Sequence, residues 1–129
     1  MKAHITKRQP LALGYRLPAG AAEAIQGAGF SLRELTADDL SCELGALAGG
    51  GASARTPLVG EAPAEPLLVL ADFTEPQLDA LLAGLRQAGV SIPLKAVLTE
   101  TNRRWTVLEL WAELQREHEA VARQRKEQS

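Results

Sequence analysis

The chain has 129 residues, of which 46% are hydrophobic and 4% aromatic, and its formal net charge is −2. A chain of this length buries enough surface to fold without a metal or disulfide staple, and its single cysteine, Cys42, excludes an internal disulfide and a cysteine cluster for zinc. The small net charge gives no electrostatic reason to expect nucleic acid or an anionic membrane as a partner.

The N-terminal segment, residues 1–9, is basic but lacks the hydrophobic stretch of a secretory signal. We therefore expect a flexible tail there and a cytoplasmic protein. No apolar run approaches the roughly 20 residues of a membrane span.

Residues 10–48 contain two faint strand-helix units. "LALGYRL" (11–17) alternates large and small or polar residues as a strand does, and an Ala-rich segment (18–28) predicts a short helix. "FSLREL" then predicts a second strand. Thr36 with Asp39 three residues later predicts the start of a second helix.

The segment "LAGGGASARTPLVGEAPAEP" (47–66) has three successive glycines and three prolines, which neither a helix nor a central strand accommodates. It predicts a linker loop at 49–65. The chain is thereby divided into an N-terminal half (10–48) and a C-terminal half (66–129).

The C-terminal half opens with "PLLVLAD" (66–72), a continuous apolar run typical of a strand covered on both faces. Phe73 and Thr74 stand in the staple and N-cap positions of the next helix, and Gln77 completes a capping box. "SIPLKAVLT" then returns as a strand, so this half predicts a βαβ unit.

The final helix begins with the same pattern: Trp105 is the staple residue, Thr106 the N-cap and Glu109 the third helical residue. Its apolar positions predict a buried stripe formed by Val107, Leu110, Trp111 and Leu114. From Arg116 onward the sequence is almost wholly polar, so residues 117–129 are expected to project beyond the core as a charged, frayed tail.

The helix-to-strand turns "AGFSL" (28–32) and "AGVSI" (88–92) are alike, which suggests a degenerate βαβα duplication. Shared turn chemistry explains the same likeness without duplication, because Gly often follows a helix. The predicted fold is α/β, with a small, mainly parallel four-stranded sheet and flanking helices, in three layers or in two. Lys95 favours an edge position for the last strand.

Ligands of parallel sheets gather beyond the carboxyl ends of the strands, where three junctions would meet: 18–20, 72–74 and 99–105. The last is richest in polar groups and predicts an anion or peptide site. The candidate ligand-binding residues are Thr99, Thr101, Asn102, Arg103, Arg104 and Asp72. The competing interpretation is that these residues only hold the turn and start the helix.

No catalytic residue set is recognisable, and neither His4 nor His118 has neighbours at metal-ligand spacing. We therefore expect no enzyme activity, metal or cofactor. The first hypothesis is a protein-interaction or self-association module, and the alternative is a domain that binds a small anion or a nucleotide-like ligand. Single-stranded nucleic acid is disfavoured by the acidic pI of 5.7.

The junction "IPLKAVLTETNRRWT", together with "LLVLADFTEPQLDALL" and "LWAELQREH", resembles a family of short bacterial proteins known as domain of unknown function 3783. The likeness covers about residues 66–118, and its specific part is 95–97, Thr99, 101–102 and Trp105. This resemblance implies no reaction, ligand or partner, and it marks the turn as a defining feature of the family.

Overall fold

The computed structural model describes residues 9–49 and 65–127, the last three by backbone alone. The predictions for a tail at 1–9 and a linker at 49–65 therefore fall almost entirely outside the described residues. The elements, in chain order, are β1 (Leu11–Tyr15), α1 (Ala21–Gly27), β2 (Ser31–Leu35), a first 3₁₀ turn (Ala37–Ser41), α2 (Leu44–Ala48), β3 (Leu67–Ala71), α3 (Glu75–Gln87), β4 (Leu94–Val97), a second 3₁₀ turn (Asn102–Arg104) and α4 (Val107–Glu127).

The four strands form one mixed sheet in the order β2-β1-β3-β4. Strands β1 and β2 run parallel, as do β3 and β4, whereas the central strands β1 and β3 run antiparallel, with Leu11 opposite Ala71 and Tyr15 opposite Leu67. The sheet is therefore mixed, with two parallel pairs and one antiparallel pair, and the expectation of a mainly parallel sheet is not confirmed. Each half of the chain contributes a parallel pair of strands. The two pairs join through β1 and β3, which run antiparallel.

Helices cover both faces of the sheet. On one face, Leu13, Leu67 and Val69 pack with residues of α2, α4 and the first 3₁₀ turn. On the other face, Leu68 and Leu70 pack with residues of α1 and α3. All five residues of β3 are buried, as its uninterrupted apolar sequence predicts for a central strand with helices on both sides. The domain therefore has three layers.

Strand β4 lies at the edge of the sheet, as Lys95 indicates. Among the described residues, β4 pairs only with β3. The Lys95 ammonium Nζ donates a hydrogen bond to the Ile92 carbonyl oxygen at 2.6 Å, and the side chain remains exposed. A charged side chain on an edge strand hinders pairing with a strand of another molecule.

The helix-to-strand turns after α1 and α3 have the same geometry. Gly29 and Gly89 adopt φ values of 94° and 72°, in the left-handed region that favours glycine. The amide after each glycine then donates to the carbonyl five residues back: Phe30 to Ile25 at 3.2 Å, and Val90 to Leu85 at 2.9 Å. These are the hydrogen bonds of a Schellman motif, and they explain why "AGFSL" and "AGVSI" resemble each other.

The predicted second helix is interrupted. Its first turn is a 3₁₀ turn that ends at Ser41, and Cys42 has extended backbone angles (φ −88°, ψ 150°), as does Glu43, before α2 begins. Capping-box spacing marks where a turn begins but does not fix how far a helix continues. The helix is interrupted here because the backbone of the extended segment forms hydrogen bonds with the C-terminal half.

We expect Gly29→Ala to lower the free energy of unfolding by about 1–2 kcal/mol, because a side chain at positive φ is strained. The matched variant is Gly27→Ala, at the end of α1, where an added Cβ meets no atom within 4 Å and φ is not positive. That substitution should raise stability by roughly 0.5 kcal/mol through helix propensity. Urea denaturation of both variants measures the difference, and equal effects would contradict the turn geometry.

Candidate functional site

Two of the three predicted junctions lie at the same end of the sheet. Strands β3 and β4 are parallel, so Asp72 and Thr99 leave the sheet side by side. The first junction, 18–20, lies at the opposite end, because Tyr15 at the end of β1 pairs with Leu67 at the start of β3. The expectation that all three meet is therefore wrong, and the antiparallel central pair is the reason.

Thr99 and Asn102 form a closed hydrogen-bonded turn at the end of β4. The Thr99 amide donates to Asn102 Oδ1 at 2.8 Å, and the Asn102 amide donates to Thr99 Oγ1 at 3.1 Å. Asn102 Nδ2 donates to the Val97 carbonyl at 3.0 Å. The Asn102 side chain is 7% exposed and uses both ends of its amide within the fold. It therefore ties strand β4 to the second 3₁₀ turn.

The N-terminal half contains the same turn. The Thr36 amide donates to Asp39 Oδ2 at 2.9 Å, and Asp39, like Asn102, is buried. Within the described residues these two are the only buried polar or charged residues, and they hold equivalent positions, three residues after a threonine at a strand end. The turn at Thr99 is thus not peculiar to the C-terminal half, and the shared Thr-x-x-(Asp/Asn) spacing could have revealed this.

The two turns bond to each other through their backbones. The Leu44 amide donates to the Trp105 carbonyl at 2.9 Å, and the Val107 amide donates to the Cys42 carbonyl at 3.2 Å. Cys42 and Trp105 each follow their buried Asp or Asn by three residues, so the two bonds are reciprocal. This pairing satisfies amides at the starts of α2 and α4, which would otherwise lack partners.

An open groove of about 690 Å³ runs along this end of the sheet. It contains Asp72, Thr99 and Arg103 of the six candidate residues. The remaining lining residues, which sequence reasoning missed, are Gln9, Pro10, Leu11, Ser31, Gly45, Ala48, Gly49, Leu98 and Glu100. Most of them come from the N-terminal half, and only the antiparallel joining of the halves brings them to this edge.

The arginines of the groove lie beside acidic residues. Arg103 forms an ion pair with Glu100, with 3.1 Å between Nη1 and Oε1. It also lies against Gly45, where an added Cβ would be 3.0 Å from the Arg103 carbonyl oxygen. Arg104 lines an adjoining cleft of about 460 Å³ together with Glu43 and Glu100. Across both clefts three carboxylates, including Asp72, face two guanidinium groups, so the surface does not favour an anion.

Asp72 and Thr101 complete the candidate set. Asp72 has a φ of 62°, a left-handed conformation that aspartate tolerates better than most residues. Thr101 is exposed, and its side chain makes no capping hydrogen bond. The structure therefore places Asp72 in the lining of the groove, whereas Thr101 is not among the lining residues.

Helix α4 begins with the expected capping box. The Thr106 amide donates to Glu109 Oε1 at 2.8 Å, and the Glu109 amide donates to Thr106 Oγ1 at 3.1 Å. A corresponding pair of bonds joins Thr74 and Gln77 at the start of α3. Phe73, which precedes that helix, packs against Phe30 with a centroid distance of 4.9 Å.

The apolar face of α4 continues into the exposed second half of the helix. Val107 and Leu110 are buried, Trp111 and Leu114 are half-buried, and Val121 is 48% exposed. Helical periodicity places Trp111, Leu114, His118 and Val121 on one face, which we name the contact stripe. The 21 residues of α4 span about 31 Å, against about 13 Å for the four residues of β4. The helix is therefore longer than the strand, and its residues 116–124 are exposed.

Trp111 is the largest residue of the contact stripe. Its indole Nε1 is shielded from solvent and has no hydrogen-bond partner among the described residues. Tryptophan is enriched at the centres of protein interfaces, where its ring contributes a large apolar area.

Within residues 9–49 and 65–127, no group of three His, Cys, Asp or Glu side chains is placed to hold a metal ion. None of the helices in these ranges combines the length and the apolar character that a bilayer crossing requires.

Residues 66–121 match the model of a family described as "Domain of unknown function (DUF3783)". The match confirms the family resemblance of the C-terminal half and spans β3, α3, β4, the second 3₁₀ turn and most of α4. No curated protein and no solved structure is significantly similar to the chain.

Asn102→Ala should destabilise the protein by about 2–3 kcal/mol, because it removes the side-chain partners of the Thr99 amide and the Val97 carbonyl. Thr101→Ala, one residue earlier and exposed, should change stability by less than about 0.5 kcal/mol. Thermal and urea unfolding compare the two. A neutral Asn102→Ala would mean that the turn does not depend on this side chain.

Proposed function

We propose that the protein is a non-enzymatic protein-interaction or self-association module whose contact surface is the stripe on α4. One observation carries the proposal: Trp111 and Leu114 pack against the core and stay half-buried, and the same face of α4 continues to Val121, which is exposed. A helix that served only to cover this sheet would need no apolar residue in its second half.

The free edge of β4 is a weaker candidate for the contact. Val97 is 42% exposed there, but it is next to Ala96 on a strand that also presents the Lys95 side chain. A lysine on an edge strand opposes pairing with another sheet. Helix α4 carries the larger apolar residues and has no comparable obstruction on its stripe.

The proposal extends to the class and the location of the protein. The polar groups of Thr99 and Asn102 are engaged in holding a turn, which leaves them no evident role in catalysis. A cytoplasmic location belongs to the same proposal.

The internal repeat is also best explained, we infer, by duplication of a βαβα unit. It is supported by the repeated order of elements, the paired Schellman motifs after α1 and α3, and the equivalent turns at Thr36 and Thr99. Shared turn chemistry accounts for one such likeness, but less readily for three in the same order.

Photo-crosslinking in cells tests the contact surface. A benzophenone side chain introduced at His118, on the contact stripe, should give covalent adducts with protein. The matched position is Ala120, which periodicity places on the opposite face of α4 and which should give few adducts. Equal yields at both positions, or no adducts at His118, would refute the proposed surface.

The groove supports a second candidate, a small-ligand site. Its volume of about 690 Å³ is within the range of small-molecule pockets, and it lies where β3 and β4 end. The pairing of Arg103 with Glu100 and the nearby Asp72 count against an anion as the ligand. A neutral or cationic polar molecule suits these charges better.

We therefore expect inorganic phosphate to leave the melting temperature of the protein unchanged. Both Arg103→Ala and Arg104→Ala should fold normally, because exposed ion pairs contribute roughly 0–1 kcal/mol. A melting-temperature rise with phosphate that Arg103→Ala abolishes and Arg104→Ala retains would establish an anion site instead. Differential scanning fluorimetry measures both effects.

A further inference from the structure

We propose that an acidic segment of a partner protein binds in a cleft beside β4. Its carboxylates would lie at Arg86 and Lys95, and one of its apolar side chains would lie over Val97. The cleft is on the face of the sheet that α1 and α3 cover, whereas the contact stripe belongs to α4 on the other face. The two surfaces are therefore separate and can be tested independently.

One face of strand β4 is left open by the helices. Lys95 is opposite Leu68 in the pairing with β3, and two residues further along the same strands Val97 is opposite Leu70. Paired residues of neighbouring strands point to the same face, so Lys95 and Val97 point to the face that carries α1 and α3. The two leucines are at most 3% exposed there, whereas Val97 is 42% exposed and Lys95 is exposed too. Helix α3 therefore covers β3 on this face but not β4.

A cleft of about 410 Å³ lies between the end of α3 and the start of β4, and we name it the basic cleft. Its exposed polar residues are Arg86, Ser91 and Lys95, and its lining includes the half-buried apolar residues Leu82 and Val90. None of the described residues that line it is acidic. The two clefts at the other end of the sheet, by contrast, contain carboxylates beside their arginines.

The two cations of the basic cleft keep hydrogen-bond donors for a ligand. The Lys95 ammonium donates one hydrogen bond, to the Ile92 carbonyl oxygen at 2.6 Å. An ammonium group has three N–H donors, so two remain. The Arg86 guanidinium, in the last turn of α3, forms no hydrogen bond or ion pair with any described residue. Ser91 adds a hydroxyl that is likewise without a partner in the described part of the chain.

The carbonyl groups at the end of α3 do little to repel an anion. A helix C-terminus ordinarily carries a partial negative charge, because its last carbonyls lack partners. Here the carbonyls of Gly84, Leu85 and Arg86 accept hydrogen bonds of 2.9–3.1 Å from the amides that follow the helix. Asp79, the nearest acidic residue along α3, is two turns before Arg86, about 10.5 Å along the axis. That separation is about one Debye length at 0.1 M salt, so Asp79 is largely screened.

The spacing of Lys95 and Val97 fits an extended peptide. These residues are two apart on one strand, so their side chains are about 6.6 Å apart along it. An extended peptide repeats with nearly the same distance, and its residues i and i+2 can therefore contact both. An acidic residue two positions from an apolar one would place a carboxylate at Lys95 and Arg86 and would cover Val97. Charge-assisted hydrogen bonds and apolar burial then act together, as in other modules that recognise acidic motifs through basic side chains.

Other occupants fit the basic cleft less well. A strand paired with the edge of β4 is hindered by Lys95, whereas an acidic segment that contacts the side chains uses the same lysine. The affinity for nucleic acid or an anionic membrane grows with the number of basic residues, and the described lining of this cleft has two. An inorganic anion would leave Val97 uncovered. A short acidic peptide with an apolar residue therefore suits the surface best.

Titration of the isotope-labelled full chain, followed by NMR, tests the cleft. The probe is the capped peptide Ser-Glu-Ser-Leu-Ser-Glu-Ser, in which each glutamate is two positions from the leucine. The amide signals of Ser91, Lys95 and Val97 should shift progressively, with a dissociation constant in the millimolar range or below. The same peptide with lysine in place of glutamate should cause no shift, and the peptide with alanine in place of leucine should bind more weakly.

Two substitutions made together remove the charges of the cleft. Arg86→Gln with Lys95→Gln should raise the dissociation constant roughly tenfold, because both residues lose their charge-assisted hydrogen bonds to the peptide. The matched control is Arg116→Gln on α4, since Arg116 is also an exposed helical arginine but is paired with Glu113. It should leave the affinity unchanged. The spread of amide signals in each spectrum verifies that the variants fold.

The acidic-peptide site is refuted by any of three results: no shifts at millimolar peptide, shifts that lie outside the basic cleft, or equal weakening by Arg116→Gln. Inorganic phosphate that shifts the same amides as strongly as the peptide would identify a simple anion site instead. A single-stranded oligonucleotide that binds there more tightly than the peptide would identify a nucleic-acid surface instead. Each of these results leaves the contact stripe on α4 to be decided by the crosslinking at His118.

Discussion

The antiparallel pairing of β1 with β3 is the constraint on which the rest of this structure depends. Each half of the chain supplies a parallel pair of strands with helices on both faces. In neither pair alone does the inner strand, β1 or β3, have a neighbouring strand on both sides. When the two pairs join through β1 and β3, all five residues of β3 are buried. The same joining also brings the strand starts of one half beside the strand ends of the other, which creates the groove at Asp72 and Thr99.

The turns at Thr36 and Thr99 show how polar residues serve this arrangement. Asp39 and Asn102 are buried because each accepts a backbone amide that the end of a strand leaves without a partner. Their cost of desolvation is offset by hydrogen bonds that define where the strand stops. The reciprocal backbone hydrogen bonds, from Leu44 to Trp105 and from Val107 to Cys42, then join the two turns. The polar residues of "TETNRR" (99–104) therefore serve largely to hold the turn in the folded structure.

Local signals in the sequence predicted much of the fold. The strands, the capping boxes at Thr74 and Thr106, and the edge position of β4 follow from residues that act on their near neighbours. The direction of β1 relative to β3 does not, because it depends on packing between segments that are far apart in the sequence. For the same reason, sequence reasoning placed the 18–20 junction at the wrong end of the sheet and missed Ser31 and Gly45 at the groove.

The match to residues 66–121 has a consequence for the unit that the family model describes. That unit contains β3 and β4 but not β1, so on its own it would expose the backbone amides and carbonyls along one side of a strand whose side chains are all buried here. Water could satisfy those groups, but the apolar side chains would then lose the cover that the N-terminal half provides. A polypeptide consisting of this unit alone would therefore be incomplete as a globular fold, and a strand from elsewhere would have to take the place that Leu11–Tyr15 occupies in this chain.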